Sequence, residues 1–296
     1  MGRSHLITTR GITIAYESFG RASDVPVLLI MGFAGQLIHW PLSLCEELAA
    51  RGCFVIRYDH RDCGLSTIMD DLGVPNLLDS PLTPPYTLEE MAADAIGLLD
   101  VLEIPAAHMV GASMGGMIAQ LLAIHFPERC LSLTSIMSTT GDPQLPSADP
   151  QALQELTQPV STPGDEAAII ERGVRVSQCL MSPAYPTSDE ALYQLAAAAT
   201  RRCYTAGGRL RQLAALMVAG DRTGALRQVD TPAAVIHGKA DRLFPVECGV
   251  ATANAIAGAD LHLIEGMGHD FPEQLMPLFA DTVMSLVERT RAPINS

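Results

Sequence analysis

A chain of 296 residues, 48% of them hydrophobic, can bury one large core or a core carrying an insertion. With 33 acidic against 19 basic residues its formal charge is −14, which disfavours nucleic acid, anionic membrane surfaces and polyanionic substrates as partners. No apolar run reaches the length of a membrane span, and no secretory leader is legible in Met1-Gly2-Arg3-Ser4-His5. Seven scattered cysteines without CxxC pairs read as reduced packing residues of a cytoplasmic protein, not as a disulfide frame or a metal site.

Residues 6–8 and 12–19 predict two amino-terminal strands around a turn at Gly11. Val27-Leu28-Leu29-Ile30-Met31 is a continuous apolar run, the pattern of a strand covered on both faces. A helix is expected over 41–51, and Cys53-Phe54-Val55-Ile56-Arg57-Tyr58 is the next buried strand. Thr87, with Glu90 three residues on, makes a capping box for a helix over 87–102. Ala107 to Val110 predicts a strand, 114–125 a helix, and Leu131 to Met137 another strand. Buried strands alternating with helices mean a parallel sheet wound on both sides.

That alternation stops between about 141 and 228. Helical patches at 166–181, 189–203 and 207–219 follow an entry punctuated by Pro143, Pro146, Pro150, Pro159 and Pro163. Strands resume at 233–237 and 261–264. The expected organisation is a core over 1–140 and 229–296, with 141–228 as a helical cap over the strand carboxyl ends, where such sheets bind ligands. An extra helical layer packed elsewhere is the competing reading.

Gly111-Ala112-Ser113-Met114-Gly115-Gly116 falls between a strand and a helix, the context in which Gly-x-Ser-x-Gly forms a nucleophile elbow. Glycines at 111 and 115 remove side chains where strand, turn and helix crowd together, and the helix amino terminus beneath Ser113 tolerates negative charge. A glycine-rich turn without chemistry would look the same, so the partners decide. A serine hydroxyl needs an adjacent base, and the base needs a carboxylate to orient it. Asp241 follows the strand ending at His237, and His269 follows the strand ending at Ile264. Asp241 alone could be a turn or cap residue, and His269 an ordinary loop histidine. Their order after Ser113, each at a strand end, argues for the catalytic reading.

An oxyanion needs two backbone N–H donors. Met114 supplies one, and Phe33, in Met31-Gly32-Phe33-Ala34-Gly35, is the candidate for the other; a tight turn would need the same glycines. His39, His108, His125, His237 and His262 lie in or beside elements and read as packing or surface residues. Met31, Phe33, Met114 and Met267 flank the candidate positions. With Leu72, Val74, Leu77 and Leu78 of the loop over 68–86, they predict an apolar pocket, although core packing accounts for at least half of the methionines.

Across nearly its whole length the chain resembles the α/β-hydrolase superfamily. The resemblance rests on the elbow, on Val235-Ile236-His237-Gly238-Lys239-Ala240-Asp241, on Gly266-Met267-Gly268-His269, and on Arg57-Tyr58-Asp59-His60-Arg61-Asp62-Cys63-Gly64-Leu65-Ser66. It implies an α/β fold with an eight-stranded, mostly parallel sheet, helices on both faces, a helical lid, and an acyl-enzyme mechanism without cofactor or metal. Met31-Gly32 replaces a common His-Gly, and Arg61-Asp62 replaces the usual Arg-Gly. Both variants are similar to those of bacterial carboxylesterases resembling aclacinomycin methylesterase. That implies a serine esterase taking a small apolar ester, either a short-to-medium acyl ester or the methyl ester of a bulky acid. Asp59, His60, Arg61 and Asp62 then form a charged loop anchor, with Arg61 paired to a neighbouring acid.

Carbon–carbon bond hydrolases, lactonases, perhydrolases and thioesterases share this set of residues. Asp270-Phe271-Pro272 lacks the tryptophan expected of the first group. A ligand receptor that retains the fold is the alternative outside enzymes. Dehalogenases and epoxide hydrolases need Asp where Ser113 stands.

Overall fold

Side chains that alternate along buried strands reach opposite faces of a sheet, so each apolar strand needs cover on both sides. The computed structural model describes residues 4–158 and 164–291; Pro159, Pro163 and Met1-Gly2-Arg3, named above, lie outside the described residues. Eight strands form one sheet: β1 (His5–Thr9), β2 (Ile12–Phe19), β3 (Val25–Ile30), β4 (Cys53–Tyr58), β5 (Ala107–Ala112), β6 (Cys130–Ile136), β7 (Ala233–Gly238) and β8 (Asp260–Ile264). Their spatial order is β1-β2-β4-β3-β5-β6-β7-β8. β1 and β2 form the expected hairpin across Arg10-Gly11, β2 runs antiparallel to β4, and the remaining pairs are parallel.

The alternation is clear in β3. Leu28 and Ile30 join a core with Leu88, Met91 and Leu98 of α2 (Leu88–Val101) and Ile118 and Leu122 of α3 (Met114–His125). Val27 and Leu29 face the other way, onto Leu44 and Leu48 of α1 (Leu42–Ala50) and Phe279, Val283 and Val287 of the carboxyl-terminal helix (Met276–Arg291). The Thr87–Glu90 capping box forms, each side chain accepting from the other's backbone N–H.

Between β6 and β7 the chain makes helices only: α4 (Pro150–Thr157), α5 (Glu166–Leu180), α6 (Asp189–Arg202), α7 (Ala206–Met217) and the single turn α8 (Thr223–Leu226). The sequence reading placed the middle three and missed α4. Pro150 does not break the chain there; it occupies the first helical position, after an Asp149 side chain that accepts from the N–H groups of Gln151 and Ala152. Two core helices also went unassigned, α9 (Val246–Ala255) and the carboxyl-terminal α10 (Met276–Arg291).

The chain leaves β3 towards β4 and leaves β5 towards β6, in opposite directions. Divergence of two neighbouring connections opens a crevice at their carboxyl ends, the topological switch point of a doubly wound sheet.

Candidate active site

Both walls of that crevice are built by glycines. A Cβ on Gly115 would lie 2.0 Å from the carbonyl oxygen of Ile30, so only glycine lets α3 start against the end of β3. A Cβ on Gly32 would lie 3.0 Å from Cβ of Ser113, which brings the loop after β3 onto the serine. Ser113 itself caps α3 at φ 56° and ψ −122°, a conformation rare for a residue with a side chain. Its N–H donates to Ile136 O (2.9 Å), and its carbonyl accepts from Ser138 Oγ (2.8 Å), which fixes the turn.

The acid and the histidine arrive together. Gly238 packs against Met267, Lys239 N–H donates to Ile264 O, and Ala240 N–H donates to Met267 O, so the loops after β7 and β8 run joined. Asp241 Oδ2 accepts from His269 Nδ1 at 2.7 Å, and Asp241 Oδ1 accepts from the N–H groups of Leu243 and Phe244. Both carboxylate oxygens are thus occupied and the imidazole orientation is set. The ring of Phe244 meets His269 edge-on and lines, with Ser113 and Phe33, a cavity of about 390 Å³. No hydrogen bond joins Ser113 Oγ to His269 among the described residues; such contacts are often long in unliganded sites and tighten with substrate.

Phe33 N–H donates to no acceptor among the described residues, and Met114, first in its helix, has an N–H that the helix cannot use. The next N–H in the loop, that of Ala34, is taken by Gln212 Oε1 of α7 (2.8 Å). His60 Nε2 lies 2.8 Å from Met31 O and steadies the end of β3; burial holds its imidazole pKa down at about 4, so it donates as a neutral ring.

The expected loop anchor exists, and it does more than the sequence suggested. Arg61 pairs with Asp94 through Nε (2.6 Å) and Nη2 (2.7 Å). Asp59 receives Arg202 of α6, and Asp62 receives a two-pronged Arg211 of α7 together with the Tyr86 hydroxyl. The anchor therefore ties the helical insertion to the sheet.

Part of the expected pocket is corrected. Met31, Met114 and Met267 are buried in the core, and the methionines that line the cavity are Met117 and Met217. Leu72, Val74, Leu77 and Leu78 do not line it, and Leu78 is 90% exposed. The lining comes instead from Leu145, Leu153, Leu156, Leu213 and Leu216 of the insertion. Sequence reasoning also passed over Ser182 and Asp270. Asp270 accepts from the hydroxyl and N–H of Ser182, Ser182 Oγ accepts from Gly268 N–H (2.8 Å), and His269 N–H donates to Leu180 O (2.8 Å). The backbone on both sides of His269 is thus pinned to the end of α5. His39, His108 and His237 are packing residues, His237 through Phe244 O at 2.8 Å.

A doubly wound sheet with a strained serine at its switch point, and a paired Asp and His on the last two strand ends, defines the α/β-hydrolase class. The family model described as alpha/beta hydrolase fold matches residues 25–274, and the chain belongs to that family. Over 289 residues it is 32% identical to rhodomycin D methylesterase DnrP of Streptomyces peucetius, covering 91% of this chain and 93% of that one. Rhodomycin D methylesterase DauP of Streptomyces sp. (strain C5) is 30% identical over the same shares. Among solved structures, the enol-lactonase from Burkholderia xenovorans LB400 superposes with a TM-score of 0.76 at 20% identity, covering 96% of this chain and 100% of that one, and shares the fold.

Proposed function

We propose that this carboxylic ester hydrolase works through an acyl-enzyme formed on Ser113. The observation that carries the proposal is a serine held at positive φ in the wall of an apolar cavity that Phe244 also lines, the Phe244 ring lying against a histidine already bonded to a buried carboxylate. Ser113 Oγ attacks the ester carbonyl as His269 Nε2 takes its proton. Asp241 keeps Nδ1 protonated and stabilises the imidazolium, and the N–H groups of Phe33 and Met114 hold the oxyanion. Collapse breaks the carbon–oxygen bond to the alcohol, which leaves with the proton from His269. Water then repeats the sequence on the acyl-enzyme and releases the acid.

Residues 141–228 act as the cap, supplying most of the apolar lining. The substrate is a methyl ester of a bulky acid or a short-to-medium acyl ester. Two methylesterase relatives support the methyl group, and a cavity of about 390 Å³ lined by leucine and methionine supports the apolar acid. Free thiols at all seven cysteines suit a reducing, cytoplasmic location.

Stopped-flow release of p-nitrophenol from esters of increasing acyl length tests the mechanism, with Ser113→Ala alongside. A burst followed by sustained turnover is expected, falling at least about a thousandfold in the variant. A burst that never recycles would replace the esterase with a receptor, and normal turnover by Ser113→Ala would remove Ser113 from the chemistry.

A further inference from the structure

A second cavity, of about 130 Å³, is bordered by the loop after β3. Ala34 and Gln36 of that loop line it, with residues 62–64, parts of α5 and α6, and the first residues of α7. Two guanidinium groups line it as well, Arg172 and Arg209. Neither has a carboxylate partner among the described residues. Arg172 donates only to carbonyls at the end of α4, from Nε to Gln158 O (2.8 Å) and from Nη2 to Leu156 O (2.8 Å) and Glu155 O (3.3 Å). Arg209 donates from Nη2 to Leu156 O (3.0 Å). Nη1 of Arg172, and Nε and Nη1 of Arg209, donate to nothing among the described residues.

The carboxylate in the lining, Asp62, is already committed to Arg211, Tyr86 and the N–H of Met69. Two like charges brought close together repel unless a counter-charge joins them. Burial accordingly draws both guanidinium pKa values down, that of Arg209 to about 10. In a chain with 33 acids to 19 bases, leaving this pair without an acid is conspicuous. Three guanidinium nitrogens are left free to receive an anion.

We propose that this cavity is a carboxylate-binding site in which Arg172 and Arg209 hold a single small carboxylate group. A guanidinium fork matches a planar carboxylate, and a cavity of about 130 Å³ has room for that group with a few carbons. The guanidinium of Arg209 lies 5.0 Å from the centre of the Phe33 ring, and Phe33 lines the larger cavity, so one aromatic side chain stands between the two sites. The carboxylate has two possible sources, a second acid group on the ester substrate or a free short-chain acid. The substrate source rests on the esterase reading above; binding of a free acid does not.

Two measurements on the full chain separate these. The first is calorimetric titration of Ser113→Ala with butyrate at constant ionic strength, with chloride as the control. The second is kcat/KM for monomethyl glutarate against dimethyl glutarate. Butyrate is expected to bind where chloride does not, and Arg209→Gln and Arg172→Gln are each expected to weaken it about ten- to hundredfold. Preference for the monoanionic ester over the neutral one, falling by a similar factor in the variants, assigns the site to substrate. Butyrate binding without that preference assigns it to a free acid. Absence of both in the unvaried arginine background overturns the proposal, as does butyrate binding that neither arginine variant weakens. Should Arg209→Gln fail to fold, Arg172→Gln and the two ligands decide. Absence of turnover on p-nitrophenyl esters as well as on both glutarate esters would sink the esterase reading while leaving the butyrate titration as the test of the site.

Discussion

Ser113 sits at φ 56° and ψ −122°, where its Cβ strains the backbone at a cost of about 1–3 kcal/mol. The surrounding contacts enforce it: Ile136 O takes the N–H, Ser138 holds the carbonyl, and Gly32 and Gly115 admit the neighbouring backbones. The role proposed for Ser113 would therefore be held against local stability. Ser113→Gly is expected to raise the urea midpoint, by about 1 kcal/mol of unfolding free energy, while abolishing turnover. A midpoint that falls would show that the strain is absent. Asp241→Asn leaves a carboxamide to orient His269 and no charge to face the imidazolium; kcat is expected to drop by about a thousandfold or more with the fold intact, measured on a p-nitrophenyl ester.

The helical insertion is bound to the sheet at the loops that carry Phe33, Asp241 and His269. Gln212 of α7 bridges Ala34 N–H and Arg61 O, Asp149 before α4 pairs with Arg242 beside Asp241, and Leu180 and Ser182 at the end of α5 hold the backbone around His269. Buried ion pairs Arg202–Asp59 and Arg211–Asp62 complete the attachment. Removing Ser182 Oγ leaves Gly268 N–H without its acceptor and Asp270 without its hydroxyl donor. Burial already raises the Asp270 pKa against those bonds, so the carboxylate depends on them. Ser182→Ala is expected to lower kcat about tenfold with KM little changed, because it loosens His269, the proposed base, and leaves the cavity wall in place. A rise in KM alone would instead place Ser182 in substrate binding. Arg211→Met strands Asp62 in the core and should cost about 3–5 kcal/mol in a denaturation experiment.

At the scale of the whole molecule, stability depends on histidines that fold neutral. Burial lowers the pKa values of both His60 and His108 to about 4, against an ordinary value of 6.5. Between these values the unfolded chain binds protons that the folded chain refuses, so stability is full above about pH 6.5 and is lost as pH falls towards 4. Each histidine contributes a slope of up to about 1.4 kcal/mol per pH unit. Denaturant unfolding across that window is expected to show the loss, and His108→Asn to reduce its slope. An unchanged slope would mean that carboxylates alone govern the acid limb. Among the described residues no helix is long and apolar enough to cross a membrane, in keeping with an acidic surface around a two-layered core.

Local signals were enough for much of this. The continuous apolar run at 27–31 and the largely apolar stretches at 53–58 and 107–110 are best satisfied by a sheet covered on both faces, and Gly111-Ala112-Ser113-Met114-Gly115 marks a turn that only glycines can crowd. Asp241 and His269 were legible because strand ends are legible, and β7 and β8 deliver both residues from one edge of the sheet. The methionines misled because apolar side chains beside a site are indistinguishable, by type, from those of the core beneath it. Ser182 lies 88 residues from Asp270, and Arg172 and Arg209 stand on separate helices around one cavity. Nothing local in a sequence records which polar groups will meet after packing, or which cations will be left without an acid. The chain by itself determined the sheet, the turn and the order of its candidate site residues, because those follow from periodicity and steric crowding. Only the tertiary structure decided what lines the cavity, what pins the histidine and where charge is left uncompensated, because those depend on distance through space between segments far apart in the chain.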